Sequence, residues 1–213
     1  ETEEIGAIVV KGPGVIPGYA DDADNERLFV DDANGNGWLV TGDLGRVDAD
    51  GYLWITGRAK EVITRGGHNI DARVIEETLV AHPAVALAAA VGKPDAYAGE
   101  LPMAYVQLKP GAAATPDEIK AFARAHVPER AAAPVDVVIL DALPLTSIGK
   151  IYKPPLKLDA AKRAFESALD SCDVAVSVRD DTRTGTCAVI RLRDSTKESV
   201  VREIIGRYAV AYE

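Results

Sequence analysis

The stretch 38–70 constrains the fold more than any other part of the chain. It reads WLVTGDLGRVDADGYLWITGRAKEVITRGGHNI. Its two apolar runs, 39–40 and 52–55, are separated by a segment rich in aspartate and glycine, which favours a turn between antiparallel strands. Gly66 and Gly67 then predict a tight loop ahead of a helix. The stretch therefore predicts a hairpin followed by a glycine loop.

Charged side chains follow both predicted strands. Asp43 ends a Thr-Gly-Asp turn after the first apolar run, and Arg58 follows the second. Two explanations without a ligand stay open: Asp43 as a locally satisfied turn carboxylate, and Arg58 as one half of a surface ion pair. The succession of strand, carboxylate, hairpin, arginine and glycine loop nevertheless indicates a functional site.

Three segments carry a resemblance to a known family. TGD at 41–43, GRAKEVITRGGHNI at 57–70 and PLTSIGKIYK at 144–153 resemble the motifs of the adenylate-forming enzymes, which include acyl-CoA synthetases, the adenylation domains of peptide synthetases, and luciferases. The segment GGHNI at 66–70, followed by VIEETL at 74–79, is most similar to the corresponding segments of fatty-acyl or aryl CoA synthetases. The resemblance runs from about residue 3 to residue 158.

The resemblance implies a two-step ligase. A carboxylate would attack ATP to give acyl-AMP and pyrophosphate, and the thiol of CoA would then displace AMP. ATP and CoA would be substrates, together with a small-molecule carboxylate. Mg²⁺ is expected, with its ligands mainly in an amino-terminal domain that these 213 residues lack, as they lack the family's glycine-rich loop for ATP phosphates. We therefore expect a carboxy-terminal portion that is inactive alone.

Lys150 is the catalytic residue that the resemblance implies. It occupies the lysine of the family's PxTxxGKIxR pattern, and the chain departs from that pattern only at Lys153, where arginine is more usual. A positioned ammonium would lower the repulsion between a carboxylate and the α-phosphate of ATP. Without the resemblance, Lys150 would be an ordinary exposed lysine.

The resemblance assigns further roles around the first stretch. Asp43 and Arg58 would bind the ribose of the nucleotide, a task suited to a carboxylate with two acceptor oxygens. Lys60 would be the hinge about which the small domain turns between its two catalytic poses. The CoA tunnel would be lined by a loop of three residues, Gly66, Gly67 and His68.

Composition narrows the range of partners. Acidic residues outnumber basic ones by 33 to 24, for a formal net charge of −9, which argues against nucleic acid or anionic membrane as a general partner. No apolar run approaches the about 20 residues that a transmembrane helix needs. The first residues, ETEEIG, also lack the pattern of a signal peptide. We expect a cytoplasmic protein without a transmembrane segment, and homo-oligomerisation is left open.

The cysteines and histidines do not suggest a metal site. Two cysteines, Cys172 and Cys187, provide no disulfide framework. The three histidines show no metal-ligand spacing. We therefore expect that no metal binds these residues.

The patterns beyond the glycine loop predict an α+β fold. Asp71 is placed to cap one helix and Thr115 begins a capping box for a second. Strand-like runs at 85–91, 103–108 and 135–140 alternate with these helices. Helices packed against a small mixed sheet are expected, which is the architecture of the lid domain of adenylate-forming enzymes.

The last 55 residues, 159–213, go beyond what that lid needs. Alternating apolar residues predict a hairpin in which Val176 lies opposite Ile190. A helix, this hairpin, a second helix and a strand predict an α+β extension, with a ferredoxin-like arrangement as one option. The expected domains are thus 1–57, the β-rich end of the large amino-terminal domain; 58–158, the lid with its lysine; and 159–213, the extension.

Two other functions stay open. The chain could belong to the adenylation domain of another adenylate-forming enzyme, although a carrier domain with its GGxS serine is absent after residue 158. It could instead be a binding or regulatory module that uses the lid fold without chemistry. The presence of Lys150, Asp43 and Arg58 together favours the enzyme.

Overall fold

A computed structural model of the chain describes residues 4–31, 35, 37–181, 185–193 and 195–213. The chain divides into two compact units, Glu1–Val62 and Ile63–Glu213. The predicted boundaries at 57/58 and 158/159 stay predictions. The predicted α+β class is confirmed, since the described part combines small sheets with four α-helices.

The first unit contains a four-stranded antiparallel sheet. Its strands are β1 (Gly6–Val10), β2 (Phe29–Asp31), β3 (Gly37–Val47) and β4 (Leu53–Arg58). The long strand β3 is central, because β1, β2 and β4 all pair with it. This sheet carries Asp43 and Arg58 on neighbouring strands.

The predicted hairpin between β3 and β4 is confirmed, and Asp48 organises its turn. The backbone N–H groups of Asp50 and Tyr52 donate to Asp48 Oδ1 at 3.0 and 2.9 Å, and Trp54 Nε1 donates to Oδ2 at 2.6 Å. These hydrogen bonds lower the pKa of the Asp48 carboxyl, and the one from Trp54 has the largest effect. Gly51 supplies the positive φ of 85° that the reversal requires.

The second unit begins with a five-stranded mixed sheet, which we call the lid sheet. Its elements are β5 (Val62–Arg65), β6 (His68–Asp71), α1 (Ala72–Val80), β7 (Val85–Asp95), β8 (Gly99–Leu108), α2 (Pro116–His126) and β9 (Asp136–Ile139). The strand order is β6-β5-β8-β7, with β9 parallel to β8. Both predicted caps are confirmed: the Asp71 side chain accepts from Arg73 N–H, and Thr115 forms a capping box.

The lid sheet is buried on both faces. Ala88 and Ala90 of β7 point to one face, against α1 and α2, whereas Ala89 and Val91 point to the other, against α3 (Pro154–Ala168). Successive strand residues face opposite sides of a sheet, so the unbroken apolar run 85–91 fits a strand covered on both sides. Helices therefore cover both faces of the lid sheet.

The extension continues directly from α3. Its other elements are β10 (Val174–Asp181), β11 (Gly185–Leu192), α4 (Glu198–Ile205) and β12 (Ala211–Tyr212). The predicted register of the β10–β11 hairpin is confirmed, with Val176 opposite Ile190. Both cysteines are buried and free. The amino-terminal half of α3 packs in the lid core and its carboxy-terminal half in the core of the extension.

The ferredoxin-like option does not describe the extension. A ferredoxin-like fold has the order β-α-β-β-α-β, with four strands, whereas the described part of this sheet has three, in the order β10-β11-β12. β12 lies parallel to β11 and directly beside it. The strand that precedes α3 in the chain, β9, pairs with β8 in the lid sheet, so it is not available to the extension.

Candidate functional site

Asp43 and Arg58 meet across the sheet of the first unit. They are directly opposite in the pairing of β3 with β4, and Arg58 Nε lies 3.2 Å from Asp43 Oδ1. The side chain of Asp43 is 29% exposed and that of Arg58 is 66% exposed. An exposed pair of this kind stabilises a fold by only about 0–1 kcal/mol. Both groups can therefore exchange their mutual contact for a ligand at little cost to the fold.

The turn that presents Asp43 is held by Thr41, whose role the sequence patterns did not reveal. Thr41 Oγ1 donates to the carbonyl of Ile8 at 2.8 Å and accepts from the backbone N–H of Asp43 at 3.1 Å. Gly42 between them has a φ of 79°. The hydroxyl of Thr41 thus links the backbone of Asp43 to strand β1.

Lys60 lies in a single 3-10 turn, Ala59–Glu61, between β4 and β5. The turn has no side-chain cap and no buried residue. It ends one residue before Val62, where the first compact unit ends. Lys60 therefore lies in the first unit, two residues before its end.

The loop of Gly66, Gly67 and His68 joins β5 to β6. The two glycines have φ values of 58° and 82°. A Cβ at either position would meet no atom within 4 Å. The need for glycine is therefore conformational, and the space beside the loop is open.

His68 contacts Glu129, which the sequence did not indicate. His68 Nε2 lies 2.6 Å from Glu129 Oε2, and both side chains are about half exposed, at 55% and 42%. Arg65 Nη1 also donates to the carbonyl of Ala131 at 2.8 Å. These two contacts attach the glycine loop to the segment after α2. No local pattern could have found Glu129, because 61 residues separate it from His68.

Lys150 lies in a closed hairpin. Leu145 and Ile151 form an isolated antiparallel bridge. Inside it, Thr146 contacts Lys150 twice: its N–H donates to the Lys150 carbonyl at 2.7 Å, and its Oγ1 accepts from the Lys150 N–H at 3.0 Å. Gly149 has a φ of 78° and donates its N–H to the carbonyl of Thr146 at 2.9 Å. We call residues 145–151 the lysine hairpin; its backbone is ordered while the side chain of Lys150 is exposed.

The structure thus places the predicted residues in three groups, with Lys60 apart from them in its own turn. Asp43 and Arg58 form one pair in the first unit, the glycine loop with His68 is a second group, and Lys150 stands at its own hairpin. In the described ranges, no cluster of three or more His, Cys, Asp or Glu side chains is arranged to hold a metal ion. Among the same residues, no helix has the length and apolarity needed to cross a membrane.

Helices lie on both faces of the mixed lid sheet, and the lysine hairpin leads directly into α3. The model of the AMP-binding enzyme C-terminal domain matches residues 74–150. The matched segment ends at Lys150.

Relatives and solved structures agree with this match. Marinolic acid–CoA ligase of Pseudoalteromonas sp. (strain SANK 73390) is 47% identical over 204 residues, which cover 94% of this chain and 30% of that ligase. The o-succinylbenzoate CoA synthetase MenE of Bacillus subtilis, in complex with its acyl-adenylate intermediate, matches with a TM-score of 0.65 and 35% identity over 74% of this chain and 31% of that one. The amide bond synthetase McbA of Marinactinospora thermotolerans matches with a TM-score of 0.62 and 32% identity, over 74% and 31%.

Two facts follow from the extents of these matches. The chain spans about 30% of the length of the curated relatives it matches. The ligase of Pseudoalteromonas matches 94% of the chain, and the unmatched remainder is much smaller than 159–213. Most of the extension is therefore shared with that ligase.

Proposed function

We propose that this chain is the carboxy-terminal part of an ATP-dependent acyl-CoA synthetase. The carboxylate oxygen of the substrate attacks the α-phosphorus of ATP, and pyrophosphate leaves. The sulfur of CoA then attacks the acyl carbon, AMP leaves, and the thiol proton is released. The observation that carries the proposal is the ordered lysine hairpin with its exposed Lys150 at the end of a segment that matches the family.

Lys150 acts in the first of these steps. Its ammonium approaches the carboxylate and the α-phosphate, reduces their mutual repulsion, and stabilises the negative charge that grows on the bridging oxygens. The backbone contacts with Thr146 support this role, because a preorganised charge loses little free energy to reorganisation during the reaction.

Asp43 and Arg58 bind the ribose in this proposal. The two oxygens of the Asp43 carboxylate accept hydrogen bonds from the two ribose hydroxyls, and the Arg58 guanidinium donates to the same sugar. Their 3.2 Å contact supports the assignment, because it brings an acceptor group and a donor group to one place on the surface.

Lys60, Gly66, Gly67 and His68 serve the change between the two steps. Lys60 is the hinge, and its position near a unit boundary, in a turn without buried residues, supports this. The loop 66–68 lines the CoA tunnel, where the open space beside both glycines gives the pantetheine chain room.

The remaining functions of the enzyme need a longer protein. Leu53, Trp54 and Ile55 of β4 are each more than half exposed, at 53%, 55% and 58%. Leu53 and Ile55 share one face of the strand, and exposed apolar side chains of this kind are typical of a surface that another part of a protein covers. An amino-terminal domain would supply the phosphate-binding loop, the ligands of Mg²⁺ and the acyl pocket, and we place the complete enzyme in the cytoplasm.

Replacing Lys150 in the complete enzyme tests the function. We expect Lys150→Ala to slow the exchange of pyrophosphate into ATP by about a hundredfold or more, which is about 3 kcal/mol of lost transition-state stabilisation. Thioester formation from supplied acyl-AMP and CoA should change little, because the charge is used only in the first step. Lys162→Ala is the matched control, since Lys162 is an exposed lysine on α3 that pairs with Glu166.

Normal adenylation by the Lys150→Ala enzyme would refute the assignment, and so would equal losses in both steps. The isolated chain should form no acyl-AMP, because its sequence lacks the family's glycine-rich loop that would hold the phosphates of ATP opposite Lys150.

A second candidate concerns the acyl acceptor. The likeness to an amide bond synthetase favours an enzyme that shares the adenylation step and then passes the acyl group to an amine. Supplying acyl-AMP with CoA or with an amine distinguishes the two, because only one acceptor should consume it.

A further inference from the structure

An ion pair between a buried lysine and a partly buried glutamate lies directly beyond the lysine hairpin. Lys153 is the residue immediately before α3 and is only 9% exposed. Its Nζ lies 2.8 Å from Oε1 of Glu76, whose side chain is 19% exposed. Burial of two charges is favourable only with good geometry and further hydrogen bonds, so this pair fixes the groups it joins within narrow limits.

Glu76 joins three elements through one oxygen. It belongs to α1, and its Oε1 accepts both from Lys153 and from the backbone N–H of Ala90 in β7, each at 2.8 Å. The start of α3 is therefore fastened to α1 and to the lid sheet at a single point.

The hairpin transmits this attachment to Lys150. Three residues span at most about 10 Å, so Lys150 and Lys153 cannot move independently over larger distances. The N–H of Tyr152 donates to the carbonyl of Pro144 at 2.8 Å, which closes the base of the hairpin, and Thr146 holds its tip. A displacement of Lys153 would therefore shift the whole hairpin.

We propose that Glu76 is a positioning residue for Lys150, acting through Lys153. This inference rests on the proposed function. Glu76 touches neither substrate; it determines where the Lys150 ammonium stands when the carboxylate meets the α-phosphate. A misplacement of about 1 Å from a change remote from the chemistry can slow a reaction by roughly a hundredfold.

The test uses the complete enzyme and both half-reactions. Glu76→Gln keeps an oxygen for the Ala90 N–H but no longer neutralises Lys153. We expect it to lower the rate of pyrophosphate exchange by about tenfold or more, with little change in KM for ATP, and to leave thioester formation from supplied acyl-AMP within about twofold of the parent. Lys153→Met should give the same pattern.

Two variants serve as controls. Glu77→Gln alters the neighbouring glutamate on α1, which is exposed and pairs with Arg73 at 2.9 Å; both half-reactions should keep their rates. Lys153→Arg keeps a cation opposite Glu76 and should retain adenylation. If Glu76→Gln fails to fold, Glu76→Asp replaces it, because the charge is kept while the carboxylate is withdrawn by one methylene; it should lower adenylation selectively.

The double variant separates positioning from a general structural effect. In a Lys150→Ala background, Glu76→Gln should reduce adenylation no further, because a residue that acts only through Lys150 has nothing left to position. Additive losses, or equal losses in both half-reactions, would overturn the positioning role while leaving the function in place. A Lys150→Ala enzyme with unchanged adenylation would instead refute the proposed function, and this inference with it.

Discussion

Phe165→Ala is expected to unfold the extension while the lid sheet stays folded. Phe165 is fully buried in the core that α3 and α4 form with the β10–β11 hairpin, and its ring lies 4.9 Å from that of Tyr208. Leu156 and Ala160, earlier on the same helix, belong instead to the core of the lid sheet. The helix α3 therefore contributes to two hydrophobic cores. Shortening the side chain of Phe165 to alanine directly affects only the core of the extension.

The expected cost is comparable with the stability available to the extension. Truncating a buried phenylalanine to alanine costs about 3–5 kcal/mol, since the lost apolar contacts are not replaced and a cavity remains. A core as small as that of the extension supplies about 3–5 kcal/mol. The two quantities nearly cancel, so the extension should open while the larger core around β7 and β8 persists.

Hydrogen exchange of the 213-residue chain measures this. Protection of the β10 and β11 amides should fall by roughly 10² to 10⁴-fold, the factor that corresponds to about 3–5 kcal/mol, with β7 and β8 amides nearly unchanged. Lys162→Ala, at an exposed position on the same helix, should change neither set. Equal losses of protection in both sheets would refute the reasoning, because they would mean that lid and extension unfold as one cooperative unit.

Two further predictions concern single positions. Burial raises the pKa of the Asp71 carboxyl in the folded chain. The protonated carboxyl therefore stabilises the fold below its ordinary pKa of about 4, and this contribution to the free energy of unfolding is lost as the pH rises through the raised pKa. Asp71→Asn keeps a side-chain oxygen that can cap the helix. We expect the Tm of this variant to equal or exceed that of the parent at pH 7, and any excess to disappear as the pH is lowered. An excess in Tm that grows in acid would contradict the prediction. Gly149→Ala places a side chain at a φ of 78°, a strain of about 1–2 kcal/mol, and should slow pyrophosphate exchange by the complete enzyme; Gly111→Ala, at a φ of 76°, is the control that should not.

The elements of this chain were predictable where the signal is local. The apolar run 85–91 reads as a strand, and it is one. Asp71 and Thr115 mark helix starts because a side-chain oxygen there satisfies a backbone N–H that has no partner within the helix. Alternation of apolar residues sets the register of Val176 against Ile190, since a slip by one residue would turn the apolar face of the hairpin to solvent.

The arrangement of the extension was harder to predict. The sequence indicates two helices, a hairpin and a final strand, and all occur. Which neighbour the final strand joins is not a local property, because it depends on the packing of α4 over the sheet. β12 pairs with β11 over only two residues, Ala211 and Tyr212, and a segment so short leaves no periodicity from which to infer its partner.

The residues of the candidate site also divide into those that the sequence predicts and those that it does not. Lys150, Asp43 and Arg58 stand in motifs whose order along the chain is informative, and the structure adds that the last two form an ion pair. Glu129 and Glu76 stand in no motif. Each acquires its importance from a partner remote in sequence, His68 or Lys153, and a single sequence contains no record of such proximity.

Two lysines three residues apart show how one short segment provides for two tasks. From Lys150 to Lys153 the side chains alternate between exposed, partly buried, exposed and buried, as expected when successive side chains of an extended backbone face opposite sides. An odd separation therefore directs the two ammonium groups to opposite sides. Lys153, taken out of water, requires the carboxylate of Glu76 at 2.8 Å. Lys150 remains in solvent with its charge available to anions, so the spacing itself separates the cation that anchors the hairpin from the cation that we propose meets the substrates.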